Sequence, residues 1–150
     1  MDLILWRHAE AADGAPDLAR KLTAGGVKQA RDVAHWLRLR LPKHTRVIVS
    51  PAQRTLQTAK ALTEDFEIMR GLAPGASPQA VLAAARWAEH KGAVLVIGHQ
   101  PTLGLLASML IAGKPMPWSI KKGGVWWLSH RVRGEELQVV LRAVISPDLL

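Results

Sequence analysis

The chain has 150 residues, the size of one ordinary domain, which can bury a core without covalent staples. With 49% hydrophobic and 21% charged residues it is globular rather than disordered, and with no cysteine it has no disulfide framework, no thiolate nucleophile and no cysteine-held zinc. The formal net charge of +8 attracts anions of any kind, whether phosphorylated substrates, acidic protein surfaces or nucleic acid, and does not choose among them.

Leu3-Ile4-Leu5-Trp6 is a short apolar run bounded by polar residues, the pattern of a buried strand. Residues 9–22 are rich in Ala, Asp and Gly and read as a loop. Thr23 then caps a helix whose apolar face is Val27, Ala30, Ala34, Leu37 and Leu41, with Pro42 as its stop; Gly25 and Gly26 weaken its first turn. Arg46 to Val49 predicts a second strand. Ser50-Pro51 reads as an N-cap followed by proline at the first helical position, with a helix to about Leu62. Residues 66–69 form a weak third strand and 71–75 a loop. Ser77-Pro78 repeats the cap-and-proline start, and an alanine-rich helix runs to about His90, before Gly92. Ala93 to Ile97 is continuous, apolar and rich in valine and isoleucine, the mark of a central strand covered on both faces. Gly98-His99-Gln100-Pro101 is a turn, followed by a helix to Ala112 and a loop from Gly113. Val125–Leu128 and Leu137–Leu141 form a terminal hairpin turning near Gly134.

Strands alternating with helices, closed by two strands, predict one α/β domain over residues 1–150. Its architecture is a three-layer α/β/α sandwich whose mostly parallel sheet has an antiparallel edge. The N-terminal apolar run is too short for a signal-peptide core, and no stretch approaches the roughly 20 apolar residues of a membrane span. The expectation is a soluble cytoplasmic protein with no membrane partner. No nucleic-acid motif accompanies the basic residues, so Lys121-Lys122 and the Arg131/Arg133 pair read as solvated faces.

In open α/β sheets ligands bind where strands end and helices begin. Three such junctions carry Arg7-His8, Ser50-Pro51 with Arg54 a turn later, and Gly98-His99. Two arginines and two histidines at one sheet edge suit phosphoryl recognition and transfer. Guanidinium forks match phosphate oxygens, and a neutral imidazole can carry the group covalently. The expected helix N-termini at Pro51 and Pro101 add amide donors.

These segments resemble the histidine phosphatase (phosphoglycerate mutase-like) superfamily. Arg7-His8-Ala9-Glu10 is similar to its Arg-His-Gly signature. Leu22-Thr23-Ala24-Gly25-Gly26-Val27-Lys28-Gln29-Ala30 is similar to its Leu-Thr-x-x-Gly-x-x-Gln-Ala helix start. Ser50 to Ala59 resembles its Ser-x-x-x-Arg-x-x-Gln-Thr-Ala segment, and Gly98-His99 its second histidine motif. Four motifs in the family's order span residue 3 to about 112. The short interval between Arg54 and His99 resembles the SixA-type phosphohistidine phosphatases, since larger relatives insert a segment there that carries an acidic residue.

The resemblance implies that His8 is a nucleophile, that Arg7, Arg54 and His99 clamp the phosphate, and that Arg20 lines the site. It also implies a monomer acting on a phosphohistidine protein or a small phosphorylated molecule, with no cofactor and no metal. The competing readings are a small-molecule phosphomonoesterase or mutase and a non-catalytic module that holds a phosphorylated ligand. Ala9 stands where the signature has glycine, and Glu10 and Asp13 are the nearest candidates for a general acid. His35 is expected at or near the surface, and His44, His90 and His130 in loops or at element ends. Trp126 and Trp127 should face opposite sides of a strand, which can leave one of them as an exposed contact surface.

Overall fold

The computed structural model describes residues 1–89 and 91–150. The chain runs β1 (Asp2–Arg7), α1 (Ala24–Arg38), β2 (Arg46–Val49), α2 (Gln53–Lys60), β3 (Glu67–Ile68), α3 (Pro78–Ala85), β4 (Ala93–Gly98), α4 (Thr102–Ala112), β5 (Val125–Arg133) and β6 (Glu136–Ile145). The six strands form one sheet in the order β3-β2-β4-β1-β5-β6. β1, β2, β3 and β4 are parallel, and β5 and β6 add the antiparallel edge.

Side chains alternate across each central strand, which is why the sheet has two buried faces. Leu3, Leu5, Val94 and Val96 pack under α3 and α4, against Val81, Ala85, Leu103 and Leu106. Ile4, Trp6, Leu95 and Ile97 pack under α1 and α2, against Val33, Ala34, Leu37 and Ala59. β4 is buried along its whole length, as its unbroken apolar run predicts. The architecture is the expected α/β/α sandwich.

Local differences have physical causes. α1 is capped by Thr23, whose Oγ1 accepts from Gly26 N at 3.0 Å. The helix ends at Arg38, and Val27 is 40% exposed; Val33 takes the place expected for it on the buried face. Gly26 is required there: a Cβ would lie 2.0 Å from Glu10 O, so the helix start packs backbone to backbone on the chain leaving β1. Ser50 does not cap α2. The helix begins at Gln53 with Ala52 as its N-cap, and no helical turn starts at Pro51. α3 begins with the Ser77 cap as expected but ends at Ala85, where Arg86 turns left-handed; a 3-10 turn follows over Trp87–Glu89, and His90 lies outside the described residues.

The hairpin is longer than its apolar runs suggested and turns at Gly134, with φ +64. His130 lies within β5, 7% exposed and edge-on to Trp87 at 4.4 Å, rather than at an element end. Trp126 and Trp127 do face opposite sides, but neither is a bare surface. Trp126 packs on Trp118 at 5.8 Å, and Trp127 meets Trp36 at 6.2 Å on the other face. No helix among the described residues is long and apolar enough to cross a membrane.

Candidate active site

At the carboxyl ends of β1, β2 and β4 lies a cleft of about 210 Å³. Arg7, His8, Arg20, Arg54 and His99 all line it, so the structure brings together the five residues expected to hold and transfer the phosphoryl group. His8 is 8% exposed, His99 4% and Arg54 4%, and the two imidazole centroids stand 5.3 Å apart.

The loop leaving β1 is held by side chains of the two helices on its face. Thr58 Oγ1 accepts from Ala9 N at 3.1 Å, Gln29 Oε1 from Glu10 N at 3.0 Å, and Gln57 Oε1 from Leu22 N at 2.7 Å. These are the Gln and Thr positions of the motifs in α1 and α2, so those motifs work as fasteners of the loop rather than as groups in the cleft. Ala9 is wholly buried and does not have a positive φ, so the methyl group that replaces the signature glycine introduces no backbone strain.

His8 Nδ1 stands 2.7 Å from Ala9 O. A carbonyl oxygen only accepts, so Nδ1 carries the proton and Nε2 keeps the lone pair of the neutral ring. Burial pushes the His8 pKa down to about 4, with the nearby charges of Arg54, Arg7 and Arg20 adding to the effect and the Ala9 hydrogen bond opposing it. The ring is therefore neutral at physiological pH, the state in which it has a lone pair to donate.

His99 Nε2 lies 2.7 Å from the hydroxyl of Ser50, which also accepts from Ala52 N at 3.3 Å. With Ser50 as donor, the proton of His99 sits on Nδ1, where it can serve an oxyanion. Burial, His8 and Arg54 lower the His99 pKa to about 3. Ser50, missed as a site residue and misread as a cap, is therefore the orienter of the second histidine. Its place at the end of β2, three residues before α2, and its position at the head of the Ser-x-x-x-Arg segment were the signals for it.

Arg7 Nη1 donates to Ile120 O at 2.8 Å. Arg54 donates to Asp17 twice, from Nη1 to the main-chain oxygen at 2.8 Å and from Nη2 to Oδ2 at 3.1 Å. Arg20 Nη1 takes the other oxygen of the same carboxylate at 3.1 Å. Asp17, also missed, therefore spans the two arginines, and they hold its carboxyl below the usual carboxylate range. Among the described residues six buried side-chain polar atoms have no hydrogen-bond partner, and three of them, Arg7 Nε, Arg54 Nε and His99 Nδ1, belong to residues that line the cleft. Buried donors are normally satisfied. Two guanidinium groups and a second imidazole lining one cleft with a neutral imidazole suit an oxyanion.

Among the described residues the cleft lining includes no carboxylate, and Asp17, which reaches two of its arginines, is paired to both. Glu10 accepts from Thr23 Oγ1 at 2.9 Å and belongs to the start of α1, while Asp13 is exposed on the loop and lies outside the cleft lining. Neither candidate acid is placed beside His8. Lys122 is exposed, as expected of a solvated face, and also stands at the cleft wall. Among the described residues no group of three or more His, Asp or Glu side chains is arranged to hold a metal ion.

A model of the histidine phosphatase superfamily (branch 1) matches residues 3–74. Phosphohistidine phosphatase SixA of Escherichia coli (strain K12) is 33% identical over 126 residues, covering 78% of each chain. The chain belongs to the histidine phosphatase superfamily.

Solved structures carry the likeness over the full length of this histidine phosphatase. The protein histidine phosphatase SixA complexed with tungstate matches with a TM-score of 0.84 at 28% identity over 99% of both chains. A SixA-like protein from Nakamurella multipartita, covering 97% of this chain and 95% of its own, gives 0.80 at 27% identity. Mycobacterial glucosyl-3-phosphoglycerate phosphatase, in complex with VO3, shares the fold with a TM-score of 0.71 at 17% identity, covering 95% of this chain and 97% of its own.

Proposed function

We propose that the chain is a phosphohistidine phosphatase that works through a phosphorylated His8. The observation that carries this reading is the convergence of Arg7, Arg54 and His99 on one cleft with His8, an imidazole whose Nδ1–H is fixed on Ala9 O. Residues 1–150 act as one phosphatase domain, since one sheet with helices on both faces builds the whole site.

In the first step His8 Nε2 attacks phosphorus in line. The Nε2–P bond forms as the bond to the leaving group breaks, and the leaving group departs with that electron pair. Arg7, Arg54 and His99 Nδ1–H stabilise the charge on the equatorial oxygens. In the second step water attacks phosphorus, the Nε2–P bond breaks with its electron pair returning to Nε2, and inorganic phosphate leaves. The water proton passes to phosphate or solvent.

The missing acid selects the substrate. An alkoxide leaving group needs a proton donor at the departing oxygen, and among the described residues no carboxylate lines the cleft. A phosphorylated imidazole leaves as neutral imidazole once its other nitrogen carries a proton taken from solvent. The cleft, at about 210 Å³, is also smaller than the roughly 300–1,000 Å³ of sites that enclose a whole small ligand. It suits a phosphoryl group presented on a protruding side chain. The test is a comparison of kcat/KM on a phosphohistidine peptide and an unactivated alkyl phosphate. The reading expects a preference of several orders of magnitude for the peptide, and equal turnover would overturn it.

A further inference from the structure

We propose that the substrate carries acidic residues beside its phosphohistidine and that Lys121, in a second cleft adjoining the first, recognises them. The inference rests on the phosphohistidine reading above and names the kind of chain that presents the group. The second cleft, of about 490 Å³, shares Arg7 and Lys122 with the His8 cleft and is further walled by Gln29, Lys121, Pro147 and Asp148. The first cleft has room for the phosphoryl group and its imidazole, so the chain on either side leaves it, and the wall of Arg7 and Lys122 opens onto the second cleft.

That wall is fixed relative to His8. Gly123 N donates to His8 O at 2.9 Å and Arg7 N to Gly124 O at 3.0 Å. Arg7 Nη1 holds Ile120 O at 2.8 Å, and Trp6 Nε1 holds Gly123 O at 3.0 Å. The turn that carries Lys121 and Lys122 is thus tied to the backbone of the histidine it flanks. Its sharp reversal uses Gly123 at φ +73, where a Cβ would come within 2.9 Å of the Pro147 ring.

The charge of the two clefts is one-sided. Arg20 and Lys122 stand at the first and Lys121 at the second, and Asp148 is the one carboxylate among the residues lining either. Asp148 pairs with Lys121 at 3.3 Å, with both side chains more than half exposed. Such a solvent-screened pair is weak, so a substrate carboxylate can displace Asp148 from the lysine. Asp148 then acts as a built-in competitor, and removing it should strengthen recognition.

The experiment compares two phosphohistidine peptides of one sequence, with aspartates or asparagines flanking the phosphohistidine, and uses phosphoramidate as the substrate without flanks. Charge complementarity at an exposed rim raises association rates by roughly tenfold or more at low salt, and KM follows the association rate. The wild type should show a KM about tenfold lower for the acidic peptide, a preference that fades with added salt. Lys121→Glu should raise that KM about tenfold at unchanged kcat, Asp148→Asn should lower it, and neither should alter phosphoramidate turnover. Equal KM for the two peptides on the wild type, or a Lys121→Glu loss shared by both peptides, overturns the inference while leaving the phosphohistidine reading standing. Turnover of phosphoramidate but of neither peptide overturns both.

Discussion

Acid should destabilise the fold through its two site histidines, and the size of the effect follows from their burial. His8 is held to about 4 and His99 to about 3, against 6.5 for a solvated imidazole. Both folded-state values lie below the unfolded one, so between pH 6.5 and 4 the unfolded chain binds protons that the folded chain refuses. Stability is then full above pH 6.5 and falls as the pH drops through that window. At pH 5 each histidine contributes a loss of about 1.5 pH units at 1.36 kcal/mol per unit, or about 2 kcal/mol. Together they remove about 4 kcal/mol, a large share of the roughly 5–15 kcal/mol that holds a domain of this size. His130, also lowered by burial, adds to the loss in the same direction. Asp17 and Glu67 are held below their ordinary range by hydrogen bonds from their arginine partners, Arg20 and Arg54 for Asp17 and Arg46 for Glu67. The assay is urea unfolding at pH 7.5 and pH 5.0 in buffers free of phosphate, for the wild type and for His8→Asn/His99→Asn. The double variant should lose about 4 kcal/mol less than the wild type on acidification. Identical losses would refute the assignment of neutral, buried histidines at this site.

Other expectations follow from single contacts. Ser50→Ala removes the partner of a buried ring nitrogen and should cost about 1–3 kcal/mol in stability, as read by denaturant titration. It should also lower kcat at unchanged substrate charge dependence. Gly26→Ala places a methyl group 2.0 Å from Glu10 O, so thermal melting should show a loss of about 3 kcal/mol or more, along with reduced activity as the His8 loop shifts. Tungstate at a hundred times its Kd should stabilise the wild type by about 2.7 kcal/mol. Calorimetry should find that binding much weakened in Arg54→Met, which removes a buried unpartnered donor.

The layers of the fold were legible because strands and helices alternate along the chain and because β4 is apolar without interruption. The positions of His8 and His99 at strand ends and of Arg54 in the first turn of the helix after β2 were legible for the same reason, since such junctions converge at one sheet edge. The rest depended on tertiary context that local patterns do not carry. Ser50-Pro51 has the chemistry of a helix cap, yet the hydroxyl is claimed by a histidine 49 residues away. Asp17 sits in a loop without periodicity, and only the fold brings it to Arg54, 37 residues on. Gly26 seemed a weakness in α1 because propensity counts only the helix; the close approach of Glu10 makes it a requirement. Lys122 read only as a solvated face because nothing in the sequence shows that its turn is tied to His8 O.

The central claim is that phosphorus is transferred to His8. Rapid quench of the enzyme with a phosphohistidine peptide, followed by intact-mass analysis and peptide mapping at alkaline pH, tests it most directly. The account predicts a transient mass increase of one phosphoryl group that maps to His8, is acid-labile, and is absent from His8→Asn, which should show no turnover. Turnover by His8→Asn, or a phosphoryl group mapping to His99 or another residue, would contradict it.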